Sequence, residues 1–116
     1  MEFHATTSPA GAQRTGCAVI GVYDGGELSA AAAALDAKAG GIVRRVVKRG
    51  DFSGKAGEAL PIADLGGGRV ERALLVGLGP RKDWSRKSLR RAAATAAEWL
   101  KKSGARDALL YLTAER

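Results

Sequence analysis

Residue types that most often carry catalysis are sparse in this chain of 116 residues. It has one histidine, His4, which has no serine or cysteine partner at a spacing typical of a nucleophile and its base. One cysteine, Cys17, opens an apolar run and is expected to be a small core residue. The acids Asp51, Glu58 and Asp64 form the one local group, and their spacing indicates no metal geometry. We therefore expect no catalytic, cofactor-binding or metal-binding residue in this chain.

One glycine-rich segment lies where a dinucleotide-binding loop would lie. Residues Val76 to Gly79 (Val-Gly-Leu-Gly) follow an apolar run and precede a helical pattern. The dinucleotide fingerprint needs a third glycine three positions on, and Lys82 stands there. Pro80 also alters the turn. The segment is therefore interpreted as a glycine turn that joins a strand to a helix.

A second segment, Gly50 to Ala56, has some features of a phosphate-binding loop. Three residues separate its glycines, whereas the phosphate loop has four. Ala56 occupies the position where a hydroxyl group would hold magnesium. The pattern alone therefore favours a surface loop.

Positive charge is concentrated in one part of the chain. The net charge is +7, and the segment Arg81–Arg106 contains nine basic and two acidic residues, so the remainder is balanced. Within a predicted helix, like charges recur four residues apart, which costs an isolated helix a few tenths of a kcal/mol per pair. An acidic partner, such as DNA phosphates or another subunit's carboxylates, would account for this pattern. A solvated face is the alternative, and the absence of aromatic residues between Arg86 and Arg91 favours it. The candidate nucleic-acid contacts are Arg86, Lys87, Arg90, Arg91, Lys101 and Lys102.

Hydrophobic periodicity predicts the elements that position these residues. The predicted strands are Glu2–Thr6, Cys17–Tyr23, Ala59–Asp64, Val70–Leu78 and Ala108–Leu112. Pro61 indicates an edge strand, and the third and fourth strands are expected to form a hairpin. The predicted helices are Leu28–Lys38, Ile42–Arg49 and a long helix that Asp83 or Ser85 caps and that reaches about Lys102. The core stripe predicted for the long helix is Leu89, Ala93, Ala96 and Leu100.

Length and composition bound the class of protein. The chain is 46% hydrophobic and 27% charged, which is ordinary for one globular domain over residues 1–116. No apolar run approaches the roughly 20 residues that cross a bilayer, and a single cysteine fits a reducing cytoplasm. The last strand is apolar on both faces and would need a covering layer on each side. We therefore expect a cytoplasmic segment at the front of a longer protein.

Several segments together resemble the N-terminal domain of the leucyl aminopeptidase (cytosol aminopeptidase) family. The most specific is Gly50–Glu58 (Gly-Asp-Phe-Ser-Gly-Lys-Ala-Gly-Glu), followed by Arg72–Gly79 (Arg-Ala-Leu-Leu-Val-Gly-Leu-Gly). Smaller matches agree in order and cover nearly the whole chain. They are Val19–Tyr23, Leu28-Ser29, Leu35-Asp36, Arg90–Ala94 and Leu110–Leu112.

The resemblance implies an α/β fold, a mixed β-sheet flanked by helices and similar to macro domains. It implies a non-catalytic N-terminal domain that serves hexamer assembly or regulation of a metal-dependent aminopeptidase. In that family, two divalent metals (Zn or Mn) and the chemistry belong to a C-terminal catalytic domain, which would be this chain's partner. The family motif Asn-Thr-Asp-Ala-Glu-Gly-Arg is absent from this sequence, so no catalytic or metal residue is transferred to it. DNA binding, known in some bacterial members, is the alternative function, and an ADP-ribose-type pocket rests on fold analogy alone.

Overall fold

The computed structural model describes residues 2–5, 17–62, 72–102 and 107–110, and for 2–5 and 107–110 it describes the backbone only. The strands in these ranges are β1 (Glu2–Ala5), β2 (Ala18–Tyr23), β3 (Glu27–Leu28), β4 (Ala59–Ile62), β5 (Ala73–Gly79) and β6 (Asp107–Leu110). The helices are α1 (Ala30–Lys38), α2 (Ile42–Lys48) and α3 (Arg86–Lys101), with a short 3-10 turn at Arg81–Asp83. Parts of the predicted strands lie outside the described residues, namely Thr6, Ala63-Asp64, Val70-Glu71 and Tyr111-Leu112.

These strands form one mixed sheet in the order β1-β6-β2-β5-β4, with β3 paired to the end of β2. Strands β1, β6, β2 and β5 run parallel to one another, whereas β4 runs antiparallel to β5 and β3 antiparallel to β2. Pro61 lies in the edge strand β4, opposite Leu74. Among the described strands none lies beyond β4 in this sheet, so a missing N–H donor on its outer side costs no hydrogen bond between strands. The predicted α/β class, the edge strand and the antiparallel pairing are confirmed.

One face of the central strands packs against α1 and α2. Because successive side chains in a strand point to opposite faces, Ala18, Ile20 and Val22 of β2 share this side with Leu75 of β5. Phe52, just beyond α2, is buried in the same cluster. The remaining buried members are Ala32, Leu35, Val43, Val46, Ile62 and Ala73.

The opposite face packs against α3. Cys17, Val19 and Leu74 lie in this second cluster, so the prediction that Cys17 is a core residue is confirmed. The buried residues of α3 are Ala92, Ala96 and Leu100, with Leu89 half-buried beside them. The predicted core position Ala93 is wrong, because the helix turns Ala92 toward the sheet at the four-residue spacing of Ala96 and Leu100.

Helices therefore cover both faces of β2 and β5. α1 and α2 supply one layer and α3 the other. These two strands do not test the expectation that the last strand needs a further covering layer. The side chains of β6, on which that expectation was placed, lie outside the described residues.

The helix ends are set by side chains that satisfy free amide groups. α1 begins at Ala30, two residues later than predicted. Leu28 belongs to β3 and pairs with Val22 of β2, and Ser29 caps the helix. The buried Ser29 hydroxyl accepts a hydrogen bond from the Ala32 amide at 3.1 Å. α3 is capped by Ser85, whose hydroxyl accepts from the Ser88 amide at 3.4 Å. Of the two predicted caps for α3, Ser85 is therefore the one used.

α2 receives its cap from the preceding helix. Gly41, the residue just before α2, occupies the N-cap position and has no side chain that could cap the helix. Asp36 of α1, 3% exposed, accepts hydrogen bonds on Oδ1 from the amides of Val43 at 2.7 Å and Arg44 at 3.4 Å. A carboxylate at this position satisfies two of the four free amides of α2 and favours its dipole. This cap offsets the weak helix propensity of the β-branched residues in α2.

Candidate functional site

The carboxyl ends of β2 and β5 form the place where an open α/β sheet would bind a ligand. The chain leaves β2 toward α1 on one face and leaves β5 toward α3 on the other. Since β2 and β5 are neighbours, their ends meet at a point where the connections diverge to opposite faces. Ligands of open α/β sheets bind in the crevice that such a point creates. This crevice is therefore the first candidate site.

The crevice is filled by residues 53–58, which we call the crevice loop. Gly54 lies against the Tyr23 carbonyl group at the end of β2, at a left-handed φ of +94°. A Cβ atom at Gly54 would overlap the Tyr23 carbonyl oxygen, and one at Gly77 of β5 would overlap the Lys55 carbonyl oxygen. Only glycine allows this approach at both positions, so the two glycines let the loop pack onto the strand ends.

Backbone hydrogen bonds join the crevice loop to the last residues of β5. The Gly77 amide donates to the Glu58 carbonyl oxygen at 2.9 Å, and the Gly79 amide donates to the Gly54 carbonyl oxygen at 3.0 Å. The interpretation of residues 76–79 as a strand-to-helix turn is wrong, because they are the last four residues of β5 and the connection to α3 follows at residues 80–85. An ADP-ribose-type pocket stays a prediction from fold analogy.

Glu58 organises the crevice loop. Its Oε1 accepts hydrogen bonds from the Ser53 hydroxyl at 2.8 Å and from the amides of Gly54 at 2.8 Å, Lys55 at 2.9 Å and Ser53 at 3.3 Å. Burial acts to raise the pKa of Glu58. The hydrogen bonds from the Ser53 side chain and the three amides outweigh it and lower the pKa below the usual value of 4.5.

Sequence reasoning did not identify this role of Glu58. One feature of the sequence could have indicated it. Glu58 follows Lys55 by three residues, and the two residues of a capping box have the same spacing. The Glu58 carboxylate accepts from the Lys55 amide, and the Glu58 amide donates in return to the Lys55 carbonyl oxygen at 3.0 Å.

Of the acids grouped by the sequence, Asp51 and Glu58 lie within the described residues, and each has a partner within the chain. Glu58 is engaged by the loop, and the exposed Asp51 pairs with Arg49 at 3.8 Å. Asp64 lies outside the described residues, as does the side chain of His4. Within the described part of the chain, no group of three or more histidine, cysteine, aspartate or glutamate side chains is placed to hold a metal ion. Nor does any helix in that part have the length and apolarity to cross a membrane.

The six candidate nucleic-acid contacts are all exposed, but they form two clusters. Arg86, Lys87, Arg90 and Arg91 lie in the first turns of α3, while Lys101 and Lys102 lie at its other end. At 1.5 Å per residue the clusters are about 20 Å apart along the helix. By helical periodicity most of the six lie away from the buried residues of α3, whereas Arg86 lies at the flank of that face. Arg106 lies outside the described residues.

Two further features adjoin the first cluster. Lys87 and Arg91 border a cleft of about 300 Å³ between α3 and the crevice loop. The other lining residues are Ala56, Gly77, Leu78, Asp83, Ser85 and Ser88. Arg81 is not part of a free basic face, because it forms an ion pair with Glu27 and lies 5.2 Å over the Tyr23 ring.

Comparison with known proteins gives the family of this chain. The model of the cytosol aminopeptidase family, N-terminal domain, matches residues 19–116. A probable cytosol aminopeptidase of Halorhodospira halophila is 38% identical over 112 residues, which are 97% of this chain and 22% of that protein. One of Thioalkalivibrio sulfidiphilus is 40% identical over 113 residues, which are 97% of this chain and 23% of that protein.

A solved structure agrees with the fold. A mutant of tomato leucine aminopeptidase superposes with a TM-score of 0.70 at 23% sequence identity, covering 95% of this chain and 22% of that one. The chain thus spans about a fifth of the length of the proteins that it matches. The sequence match over residues 19–116 and the shared mixed sheet show that this chain belongs to the cytosol aminopeptidase family and corresponds to its N-terminal domain.

Proposed function

We propose that this chain is the non-catalytic N-terminal domain of a metal-dependent aminopeptidase that releases N-terminal amino acids from peptides. The observation that supports this proposal best is the match of the N-terminal-domain model over residues 19–116. The relatives named aminopeptidases are four to five times longer than the matched region. In the proposal, the two divalent metals, zinc or manganese, and their ligands belong to a catalytic domain in the remaining length.

The geometry of the crevice supports a scaffolding role for this domain. The place where an α/β sheet would take a substrate is filled by the chain's own crevice loop, which packs against the Tyr23 carbonyl group and Gly77. The partner in this proposal is the catalytic domain, and the role is assembly of a hexamer or regulation of the enzyme. The proposed location is the cytosol, in agreement with the family name.

Hydrolysis of leucyl-p-nitroanilide tests the division of labour. The purified 116-residue chain is assayed with and without manganese or zinc, beside a cytosol aminopeptidase as positive control. We expect no release of p-nitroaniline above the blank. Activity that co-purifies with the 12.0 kDa chain through two chromatographic steps would contradict the proposal.

The parent protein is tested on the gene and on its product. The reading frame beyond codon 116 is expected to encode the motif Asn-Thr-Asp-Ala-Glu-Gly-Arg, and a stop codon there would contradict the proposal. For the full-length product, light scattering should give a hexamer that dissociates when residues 1–116 are deleted. A hexamer that persists without them would refute the assembly role.

DNA binding by the Arg81–Arg106 segment stays a prediction from the sequence, because the exposure of its side chains is also what a solvated helix face requires. Such binding would weaken steeply with salt, since each neutralised phosphate adds nearly one unit to the log–log slope on duplex DNA. Substitution of Arg86, Lys87, Arg90 and Arg91 by alanine should abolish it. Binding at low salt that survives the four substitutions would rule out this face.

A further inference from the structure

The crevice loop contains a group of donors that converge on one point. The amides of the three consecutive residues Ser53, Gly54 and Lys55 all lie within 3.3 Å of a single oxygen atom, as does the Ser53 hydroxyl. Successive amides that point into one concavity form a nest, a structure that binds anions in phosphate sites. The left-handed backbone of Gly54 gives the turn its concave shape.

The oxygen atom at the centre of this nest belongs to the chain itself. Glu58 Oε1 accepts all four hydrogen bonds, which exceeds the two lone-pair directions of one carboxylate oxygen. The four donors therefore surround a negatively charged oxygen atom, and their directions are not specific for a carboxylate group. A phosphate or sulfate oxygen satisfies the same arrangement.

Contacts that do not involve the Glu58 side chain hold the nest in place. The Ser53 carbonyl oxygen accepts from the Gly25 amide at 3.2 Å, and the Gly54 carbonyl oxygen accepts from the Gly79 amide at 3.0 Å. The first anchor lies on the turn after β2 and the second on the last residue of β5. The close approach of Gly54 to Tyr23 adds a third. The concavity therefore keeps its shape when the carboxylate is removed.

We propose that Ser53, Gly54 and Lys55 form an anion-binding nest whose resident ligand is the Glu58 carboxylate, and that a tetrahedral oxyanion binds the same donors when that carboxylate is taken away. In the wild-type chain the Glu58 carboxylate occupies these donors. An external oxyanion competes with Glu58 for one set of donors. This inference rests on the loop geometry and is independent of the proposed function.

The test is a titration with inorganic phosphate at constant ionic strength, followed by amide chemical shifts in the isotope-labelled chain. In Glu58→Ala, the amides of Ser53, Gly54 and Lys55 should shift together and saturate. Its apparent Kd should be at least roughly tenfold below that of the wild type, because one charge-assisted hydrogen bond amounts to about that factor. Chloride should have no such effect. Asp51→Ala, which removes an exposed carboxylate from the adjoining segment, is the matched control and should behave as the wild type.

Two results would overturn the proposal. One is a Glu58→Ala chain whose three amides do not respond to phosphate, and the other is an equal response to phosphate in the wild type and in Glu58→Ala. Should Glu58→Ala fail to fold, the same titration on Glu58→Gln decides. The neutral glutamine side chain of this variant competes more weakly with phosphate than the carboxylate does. A saturable shift of the three amides would support the nest, and no shift would refute it.

Discussion

At the scale of single residues, Glu58 and Gly77 decide how the carboxyl end of the sheet is closed. Glu58 gathers four donors of the crevice loop, and Gly77 leaves room for the Lys55 carbonyl group above β5. Neither effect depends on catalytic chemistry. The residues Gly50–Glu58 that gave the strongest family resemblance thus have a structural explanation in this chain.

Replacing Glu58 by glutamine should destabilise the protein in a pH-dependent way. Because the folded pKa lies below the unfolded value, the carboxylate stabilises the fold above the unfolded pKa. That contribution is lost as the pH falls through the folded pKa. We expect Glu58→Gln to cost about 1 kcal/mol at pH 7, allowing for its partial exposure. Urea denaturation at pH 7 and pH 3 should show the difference shrinking at the lower pH, and a constant difference would contradict this account.

Replacing Gly77 by alanine should be more damaging than the same change in the open part of the loop. The new Cβ would overlap the Lys55 carbonyl oxygen, which is backbone and cannot turn away. We expect a loss of about 3 kcal/mol or more in the free energy of unfolding. Gly57→Ala is the control, because a Cβ there meets nothing within 4 Å and adds only left-handed strain of about 1–2 kcal/mol. Equal losses would show that the close approach is unimportant.

At the scale of elements, the pair α1–α2 depends on a contact that crosses the helix boundary. Ser29 caps its own helix, whereas Asp36 caps the next one through the amides of Val43 and Arg44. The periodicity of residues 42–49 predicts α2, and the tertiary contact explains why so short and β-branched a segment is helical.

Asp36→Ala tests this cap. The substitution removes a buried acceptor from two amides of α2, and hydrogen bonds to charged groups contribute about 1.5–3 kcal/mol. We expect a loss of about 2–3 kcal/mol in the free energy of unfolding and reduced far-ultraviolet helical signal. Asp51→Ala removes one partner of an exposed ion pair and should change stability by less than about 1 kcal/mol. Similar losses for both variants would contradict the cap.

At the scale of the whole molecule, one sheet carries two separate apolar layers. Leu75 lies in the layer with α1 and α2, and Leu74 lies in the layer with α3. Both tryptophans belong to the α3 side: Trp84 packs edge-on against Tyr23, with ring centroids 6.0 Å apart, and Trp99 is an α3 residue, 41% exposed. Because the layers share β2 and β5, they should unfold together.

The destabilisation caused by Leu75→Ala should therefore be detected by the tryptophans on the opposite face of the sheet. Removal of this fully buried side chain is expected to cost about 2–5 kcal/mol. The urea midpoint followed by tryptophan fluorescence should fall by the same amount as that followed by circular dichroism. Leu74→Ala, in the other layer, should behave alike. A fluorescence midpoint unmoved by Leu75→Ala would show that the layers unfold independently.

The sequence by itself determined the order and type of the elements other than the two-residue strand β3, the edge position of Pro61 and the family. These depend on local signals: apolar period, glycine and proline positions, and a capping serine at Ser85. Tertiary structure decided which residues meet. The contact of α3 with the sheet buries Ala92 rather than Ala93. The sequence could not decide between them, because rotating an alanine-rich helix by one residue leaves its apolar pattern equally well matched. Tertiary structure likewise brought Glu58 to its donors and the crevice loop to the strand ends, since such contacts depend on chain path rather than on spacing along the sequence.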